Sequence, residues 1–368
     1  MSGGVDSSVT AALLKEQGHE VIGITMQIWP EGEGNPHEKG CCSVTAVEDA
    51  RRVALQLGIN FYVLNFRDLF KKEVIDYFIE EYCSGRTPNP CIMCNRKVKF
   101  EHLLEKVKSF GADYLATGHY ARIEKDAKGQ PRLKKGIDPE KDQSYALYNL
   151  KREQLKQILF PLGTMDKGKT RELAQKFNLS VHNKADSQEI CFVPDNQYGD
   201  FIANKNPDAV HPGNFVDENG KVVGKHKGLP YYTVGQRRGL GLALGYPVYV
   251  KEIRPWRNEI VIGPKESIFS QGLIANDINW ISFPHLHSPM EAEVKIRYNA
   301  APVKGIIKPE NSGVRVEFEE PVAAVTPGQS AVFYRGCEVL GGGIIQTPIN
   351  GFQGRGSTHP GDNKGFPD

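Results

Sequence analysis

The chain has 368 residues, with 46 Lys and Arg against 44 Asp and Glu for a formal net charge of +2. That balance does not announce a globally basic nucleic-acid binder, so any nucleic-acid contact must come from local patches. The composition is 39% apolar and 24% charged, and no apolar run is long enough to span a bilayer, which predicts a soluble chain of two or three domains. Seven cysteines are too few, and odd in number, for a secreted disulfide framework. Val21–Trp29 is too short and lacks the basic leader of a signal peptide, so a reducing cytoplasm is expected.

The chain opens on MSGGVDSS. Gly3 and Gly4 allow a tight turn and close approach to a ligand. Ser2, Ser7, Ser8 and the open N–H groups of the helix predicted over Ser7–Gln17 would then cradle phosphate. A buried strand is predicted over Val21–Trp29, then a helix over Cys42–Leu57 opened by a Thr45-x-x-Glu48 capping box. Asn60–Phe66 and Tyr114–Tyr120 read as strands, Asp68–Tyr82 and the basic Arg96–Phe110 as helices. Such alternation predicts an α/β domain with a doubly wound parallel sheet over residues 1–195. A phosphate loop in that fold normally follows a strand, and here none precedes it, so the sheet is expected to lack its first strand and to be poorly stable.

From about Asp195 the signals change to short strands punctuated by Gly and Pro: Asn214–Asp217, Tyr231–Val234, Val248–Ile253 and Glu259–Ile262. These define a small central domain over 196–273. About five strand-like runs in Glu291–Ile345 predict a C-terminal β-barrel over 274–349. Residues 350–368 are Gly, Pro and polar side chains with little to bury, and disorder is expected there.

A second informative stretch is TPNPCIMCNRKVKF, Thr87–Phe100. Pro88 and Pro90 fix an extended approach, and Cys91 and Cys94 fall three apart at a helix N-terminus beside Arg96 and Lys97. The helix dipole and those cations favour thiolate, the form that attacks, carries sulfur or binds metal. Cys191, in KADSQEICFVPD, is a third candidate, whereas Cys41 and Cys42 read as small hydrophobes before a helix. A C-x-x-C alone leaves zinc and redox uses open.

SGGVDSS, VEDARRVALQLGI, TPNPCIMCNRKVKF, ATGHYAR, KDQSYAL, DSQEICF and KGLPYYTVGQRRGLG occur in that order. Together they resemble the tRNA-specific 2-thiouridylases of the PP-loop ATP pyrophosphatase superfamily, over about Met1 to Ile345. The resemblance implies an ATP- and Mg2+-dependent enzyme that adenylates the C2 carbonyl of the wobble uridine and replaces its oxygen with sulfur, releasing AMP and pyrophosphate. It implies nucleotide contacts from Ser2, Gly3, Gly4, Val5, Asp6, Ser7, Ser8, Met26 and Gly118. It makes Cys191 the persulfide carrier and Cys94 the nucleophile that closes a disulfide with it. Asn89, Pro90 and Cys91 would meet the target base, and His119, Lys141, Asp142, Gln143, Arg297, Tyr298 and Gln329 the tRNA. The implied partners are tRNAs of the Lys, Glu and Gln type and a cysteine desulfurase or sulfur-relay protein, with no membrane and a monomeric enzyme.

One departure matters. Much of the family carries Asp where this chain has Cys91, so Cys91, Cys94 and Cys191 form a set able to hold a 4Fe–4S cluster with one open iron, and persulfide and cluster routes stay open. Arg96, Lys97, Lys99, Arg237, Arg238 and Arg297 offer phosphate partners, and a target uridine would have to leave the anticodon stack. GTMDKGKT, Gly163–Thr170, fits the Walker pattern literally, but Phe160–Leu162 is a poor strand, so it reads as a loop and helix cap. RGLGLALG, Arg238–Gly245, lacks a βαβ setting and reads as a bend. The competing readings are a PP-loop synthetase acting on a small molecule and a non-enzymatic RNA-binding module with three cysteines on zinc.

Overall fold

The computed structural model describes residues 1–29, 44–185, 190–193 and 197–350. Helix α1 (Val5–Glu16) leads into β1 (Ile22–Gln27), and α2 (Val44–Leu57) into β2 (Asn60–Asn65). β1 and β2 pair in parallel from Ile22↔Asn60 to Gln27↔Asn65, and α2, which lies between them in the chain, packs against both strands. The capping box reading fails at α2: Thr45 lies inside the first turn, because the helix already begins at Val44.

The expected Asp68–Tyr82 helix runs from Arg67 to Cys83, with a wider π-type stretch at Lys71–Asp76. The basic helix starts earlier than expected, at Pro90, and continues through a π stretch at Cys94–Leu103 to Lys108. The strand read over Tyr114–Tyr120 shrinks to β3 (Leu115–Ala116), which pairs in parallel with β6 (Ile158–Leu159). Thr117, Gly118 and His119 instead form an irregular turn, where backbone must pass close to α1. Among the described residues no strand joins the β1–β2 pair to the β3–β6 pair. Met1 lies along β1, its terminal ammonium on the Ile24 carbonyl and its own carbonyl accepting from Thr25 Oγ1 at 2.7 Å.

The central region is a four-stranded sheet in the order β8-β7-β10-β9, with β7 at Gly213–Val216, β8 at Val222–His226, β9 at Tyr249–Arg254 and β10 at Glu259–Gly263. Tyr231–Val234 is not a strand: Pro230 opens a short 3-10 turn over Leu229–Tyr231. The C-terminal barrel is closed by six strands, β11 (Phe269–Trp280), β14 (Gly313–Ala323), β13 (Val303–Glu310), β12 (Met290–Lys295), β15 (Ser330–Arg335) and β16 (Glu338–Ile349), with β16 returning to β11. The hairpin β4 (Ala121–Lys125) and β5 (Pro131–Lys135) of the N-terminal region joins this sheet through Lys134↔Glu338.

That junction is apolar as well as hydrogen-bonded. The main core runs from Phe70, Phe78 and Phe100 through Tyr145 and Tyr148 to Val332, Tyr334 and Val339 of the barrel, all almost completely buried. At roughly 25 cal/mol per Å2 of apolar surface, burying side chains of this size makes the barrel an integral support of the N-terminal region rather than an appendage. Cys41–Cys42 and the tail expected to be disordered from 351 onward lie outside the described residues.

Candidate active site

The first loop is built as a cradle. Gly3 adopts φ +66°, and a Cβ there would fall 2.2 Å from the Ala46 carbonyl of α2, so glycine is required both for the left-handed turn and for the close approach. Ser2 N donates to Ser7 Oγ at 3.1 Å, and the two hydroxyls lie 3.2 Å apart. Ser7 and Ser8 hydroxyls return to the Gly4 carbonyl at 3.2 and 2.9 Å, which fixes the first turn of α1. Gly4 is the N-cap and offers no side chain, so the open N–H groups of Val5, Asp6 and Ser7 face the loop mouth. Lys184 donates to the Gly3 carbonyl at 3.0 Å and to Asp49 Oδ2 at 2.9 Å, pinning the loop to α2.

Gly118 closes one side. A Cβ on it would lie 2.8 Å from the Asp6 carbonyl carbon and 2.9 Å from Asp6 Cβ. Only a bare backbone fits against the loop. Met26, near the end of β1, is half-buried against the main core. Met26 and Gly118 thus stand at the C-terminal ends of β1 and β3, where open α/β sheets bind their ligands.

Asn89 caps the helix that carries Cys91 and Cys94, its Oδ1 accepting from Cys91 N at 3.1 Å and Ile92 N at 3.3 Å, with Pro90 in the first turn. Cys91 is exposed and Cys94, one turn on, is half-buried. Cys191 is half-buried too. The adjacent Phe192 packs edge-on against Phe70 and Phe78, at 5.8 and 5.2 Å between ring centroids. Cys94 and Cys191 therefore border the same aromatic core from sequence positions far apart.

The segment before Asn89 is where all three regions meet. Thr87 N donates to Pro327 O at 2.9 Å, and Gln329 Nε2 donates to Thr87 O at 2.8 Å. Thr87 Oγ1 lies 3.3 Å from Thr233 Oγ1 of the central region. Arg297 is an internal strut rather than an exposed contact: its Nη2 donates to Val234 O at 2.8 Å and Ala324 O at 3.1 Å. Its partner in sequence, Tyr298, is partly exposed and raised in pKa, first by burial and then by Asp142 and Cys91. Tyr298, Asp142 and Lys295 line a cleft of about 370 Å3.

Other expected contacts serve the fold. Asp142 accepts from Gly136 N and Ser144 N, and Gln143 exchanges hydrogen bonds with the Tyr120 backbone. Lys141 N donates to Asp138 O within the same loop. His119 bonds Thr117 Oγ1 at 2.7 Å and packs on Phe100 and Phe160. Burial, and secondarily Lys99, pushes its pKa well below the usual histidine value, so it is neutral at pH 7. Among the basic candidates, Arg96 is paired with Asp277 and Lys97 with Glu101, while Arg237 and Arg238 are exposed. No group of three His, Cys, Asp or Glu side chains among the described residues could hold a metal ion. Cys91, Cys94 and Cys191 do not gather into a cluster or zinc site there.

A glycine- and serine-rich loop with open N–H groups at the strand ends of an α/β domain, with two half-buried thiols on one core, has the form of a nucleotide-dependent group-transfer protein. The comparisons agree. Residues 1–195 match the family described as tRNA methyl transferase HUP domain, 199–264 the tRNA methyl transferase PRC-barrel domain, and 270–345 the aminomethyltransferase beta-barrel domain. The tRNA-specific 2-thiouridylase MnmA of Clostridium perfringens is 59% identical over 94% of this chain and 97% of its own length. Those of Carboxydothermus hydrogenoformans and Heliobacterium modesticaldum are 58% and 57% identical over 94% of this chain, and 96% and 91% of their own lengths. The chain belongs to the tRNA-specific 2-thiouridylase family.

Proposed function

We propose that this protein is an ATP-dependent tRNA sulfurtransferase that makes 2-thiouridine at the wobble position in the cytoplasm. The observation that carries the reading is the Ser2–Ser8 cradle, closed by Gly118, in the same domain as the Cys94 and Cys191 thiols. A uracil carbonyl oxygen is a very poor leaving group, which is why the nucleotide is needed. MgATP enters as substrate, the C2 oxygen attacks the α-phosphorus and pyrophosphate departs. The terminal sulfur of a Cys191 persulfide then attacks C2 and AMP leaves with the former carbonyl oxygen. Attack of the Cys94 thiolate on Cys191 Sγ breaks the S–S bond, leaves the sulfur on C2 and closes a Cys94–Cys191 disulfide, which an external dithiol reduces.

The helix N-terminus beside Asn89 supports the thiolate at Cys94, and the Thr87 junction holds that helix start in place. The exposure of Cys91 and its influence on Tyr298 support a role for it beside the target base rather than in the sulfur relay. A cysteine desulfurase or sulfur-relay protein supplies the persulfide, and the tRNAs are those with a wobble uridine. The test is thiouridine formation by the purified enzyme with ATP, tRNA and a persulfide donor. Loss on both Cys94→Ser and Cys191→Ser, with at least partial activity in Cys91→Ser, is expected. Equal loss at all three, or full activity without Cys191, would overturn the assignment.

A further inference from the structure

The Gly163–Thr170 segment matches a phosphate-loop pattern without its fold, yet it comes to the nucleotide loop by another route. A 3-10 turn over Pro161–Thr164 leads to Asp166, whose side chain caps the Lys167–Lys176 helix by accepting from Lys169 N at 2.7 Å. Gly163 makes this possible, since a Cβ there would fall 1.8 Å from the Ala121 carbonyl. The pattern's own lysine, Lys169, points outward and pairs with Glu172 at 2.9 Å. Lys167 points inward. Its Nζ lies 2.7 Å from Asp6 Oδ1, with only 12% of the side chain exposed.

Everything around Lys167 fixes that position. Its backbone N donates to Asp138 Oδ2 at 3.0 Å, and its ammonium sits 5.7 Å from the centroid of the Tyr120 ring. The Tyr120 hydroxyl donates to the same Asp6 oxygen at 2.9 Å and lies 3.0 Å from Thr170 Oγ1. Asp6 is in the first turn of α1, between the loop glycines and the two serines. An ammonium delivered there adds a full charge to the partial positive end of the helix, at a mouth shaped for anions. Asp6 Oδ1 already accepts a hydrogen bond from the Tyr120 hydroxyl, so satisfying that oxygen does not by itself call for a lysine sunk to this depth.

Resting on the reading of Ser2–Ser8 as the MgATP site, we propose that Lys167 is the cation that engages the pyrophosphate portion of bound ATP. It thereby holds the leaving group of the adenylation step. Its chemistry separates ATP from AMP, which has no pyrophosphate to engage. A charge-assisted hydrogen bond of this type is worth about 1.5–3 kcal/mol, on the order of a 10- to 100-fold change in affinity.

The experiment is equilibrium dialysis of the full chain against MgATP and against AMP, without tRNA, for wild type, Lys167→Met, Lys167→Arg and Lys169→Met. The proposal expects Lys167→Met to lose roughly 10- to 100-fold in MgATP affinity and less than about 3-fold for AMP. Lys167→Arg should recover most of that loss, and Lys169→Met should match wild type. Retained AMP binding shows that the variant is folded. Equal loss of both nucleotides would make Lys167 only a prop for Asp6 and overturn the proposal, as would unchanged MgATP binding. If wild type and all variants alike bind neither nucleotide, the reading of the loop itself has failed and takes the proposal with it.

Discussion

Replacing Gly118 with alanine tests how tightly the turn after β3 is pressed onto the nucleotide loop. The added methyl would sit 2.8 Å from the Asp6 carbonyl carbon and 3.0 Å from its oxygen, so the two backbones must part by half an ångström or more to reach ordinary contact. No flexible side-chain end can yield instead. Overpacking of this kind costs about 1–3 kcal/mol, and two outcomes divide it. If the turn moves, global stability falls by that amount. If the first turn of α1 moves, the cradle opens and MgATP affinity drops about 10- to 100-fold for the same free energy. Urea unfolding and nucleotide binding measured on one preparation read both. A Gly118→Ala protein with wild-type stability and wild-type MgATP affinity would refute the close-packed geometry.

Three further outcomes are expected. Gln329→Leu removes the donor to Thr87 O and Pro88 O and should lower kcat for thiolation about 5-fold while MgATP affinity stays within about 2-fold, since a buried hydrogen bond is worth about 1 kcal/mol and the cradle is untouched; equal losses in both would contradict a positioning role. His119 and His226 are both depressed in pKa, burial being the main cause in each. The unfolded chain then binds more protons below about pH 6.5, so stability should be flat above that pH and fall below it, by up to about 1.4 kcal/mol per pH unit for each histidine. Urea unfolding at pH 7.5 and 5.5 should show the fall reduced in His119→Gln, and an unchanged fall would refute the assignment. Gly328→Ala places a side chain at φ +90° and 2.8 Å from Thr87 N, so a loss of about 2–4 kcal/mol in urea unfolding is expected. A loss under about 1 kcal/mol would show that the three-region junction is loose.

The local features were legible because they obey local rules. Two glycines before an apolar helical stretch predicted a tight turn leading into α1, and Gly3 makes that turn at φ +66°; Pro88 and Pro90 read as an extended approach, but Asn89 caps a helix that already begins at Pro90, earlier than the basic residues suggested. Alternating short runs predicted the barrel but not its strand β11, which meets β16 across the whole C-terminal region. Long-range contacts left no trace in spacing. Gln329 and Thr87 are 242 positions apart, and nothing in either neighbourhood announces their bond. Arg297 read as a phosphate partner because a side chain's charge is visible in sequence and its burial is not; Val234 and Ala324 carbonyls claim it instead. The look-alike phosphate pattern designates Lys169, which pairs outward with Glu172, and nothing in the spacing marks Lys167, whose approach to Asp6 is made only by the tertiary fold. Tyr231–Val234 has the β-branched and aromatic content of a strand, but Pro230 removes a donor and turns the chain first.

The central claim is that ATP activates the uridine oxygen for departure. It is tested most directly with tRNA carrying 18O at C2 of the wobble uridine, incubated with the enzyme, ATP and a persulfide donor, and analysed by mass spectrometry of nucleosides and nucleotide products. The account predicts one 2-thiouridine for each AMP released, with the label in the phosphate of that AMP. Thiouridine formed with unlabelled AMP, or AMP released with no thiouridine, would contradict it.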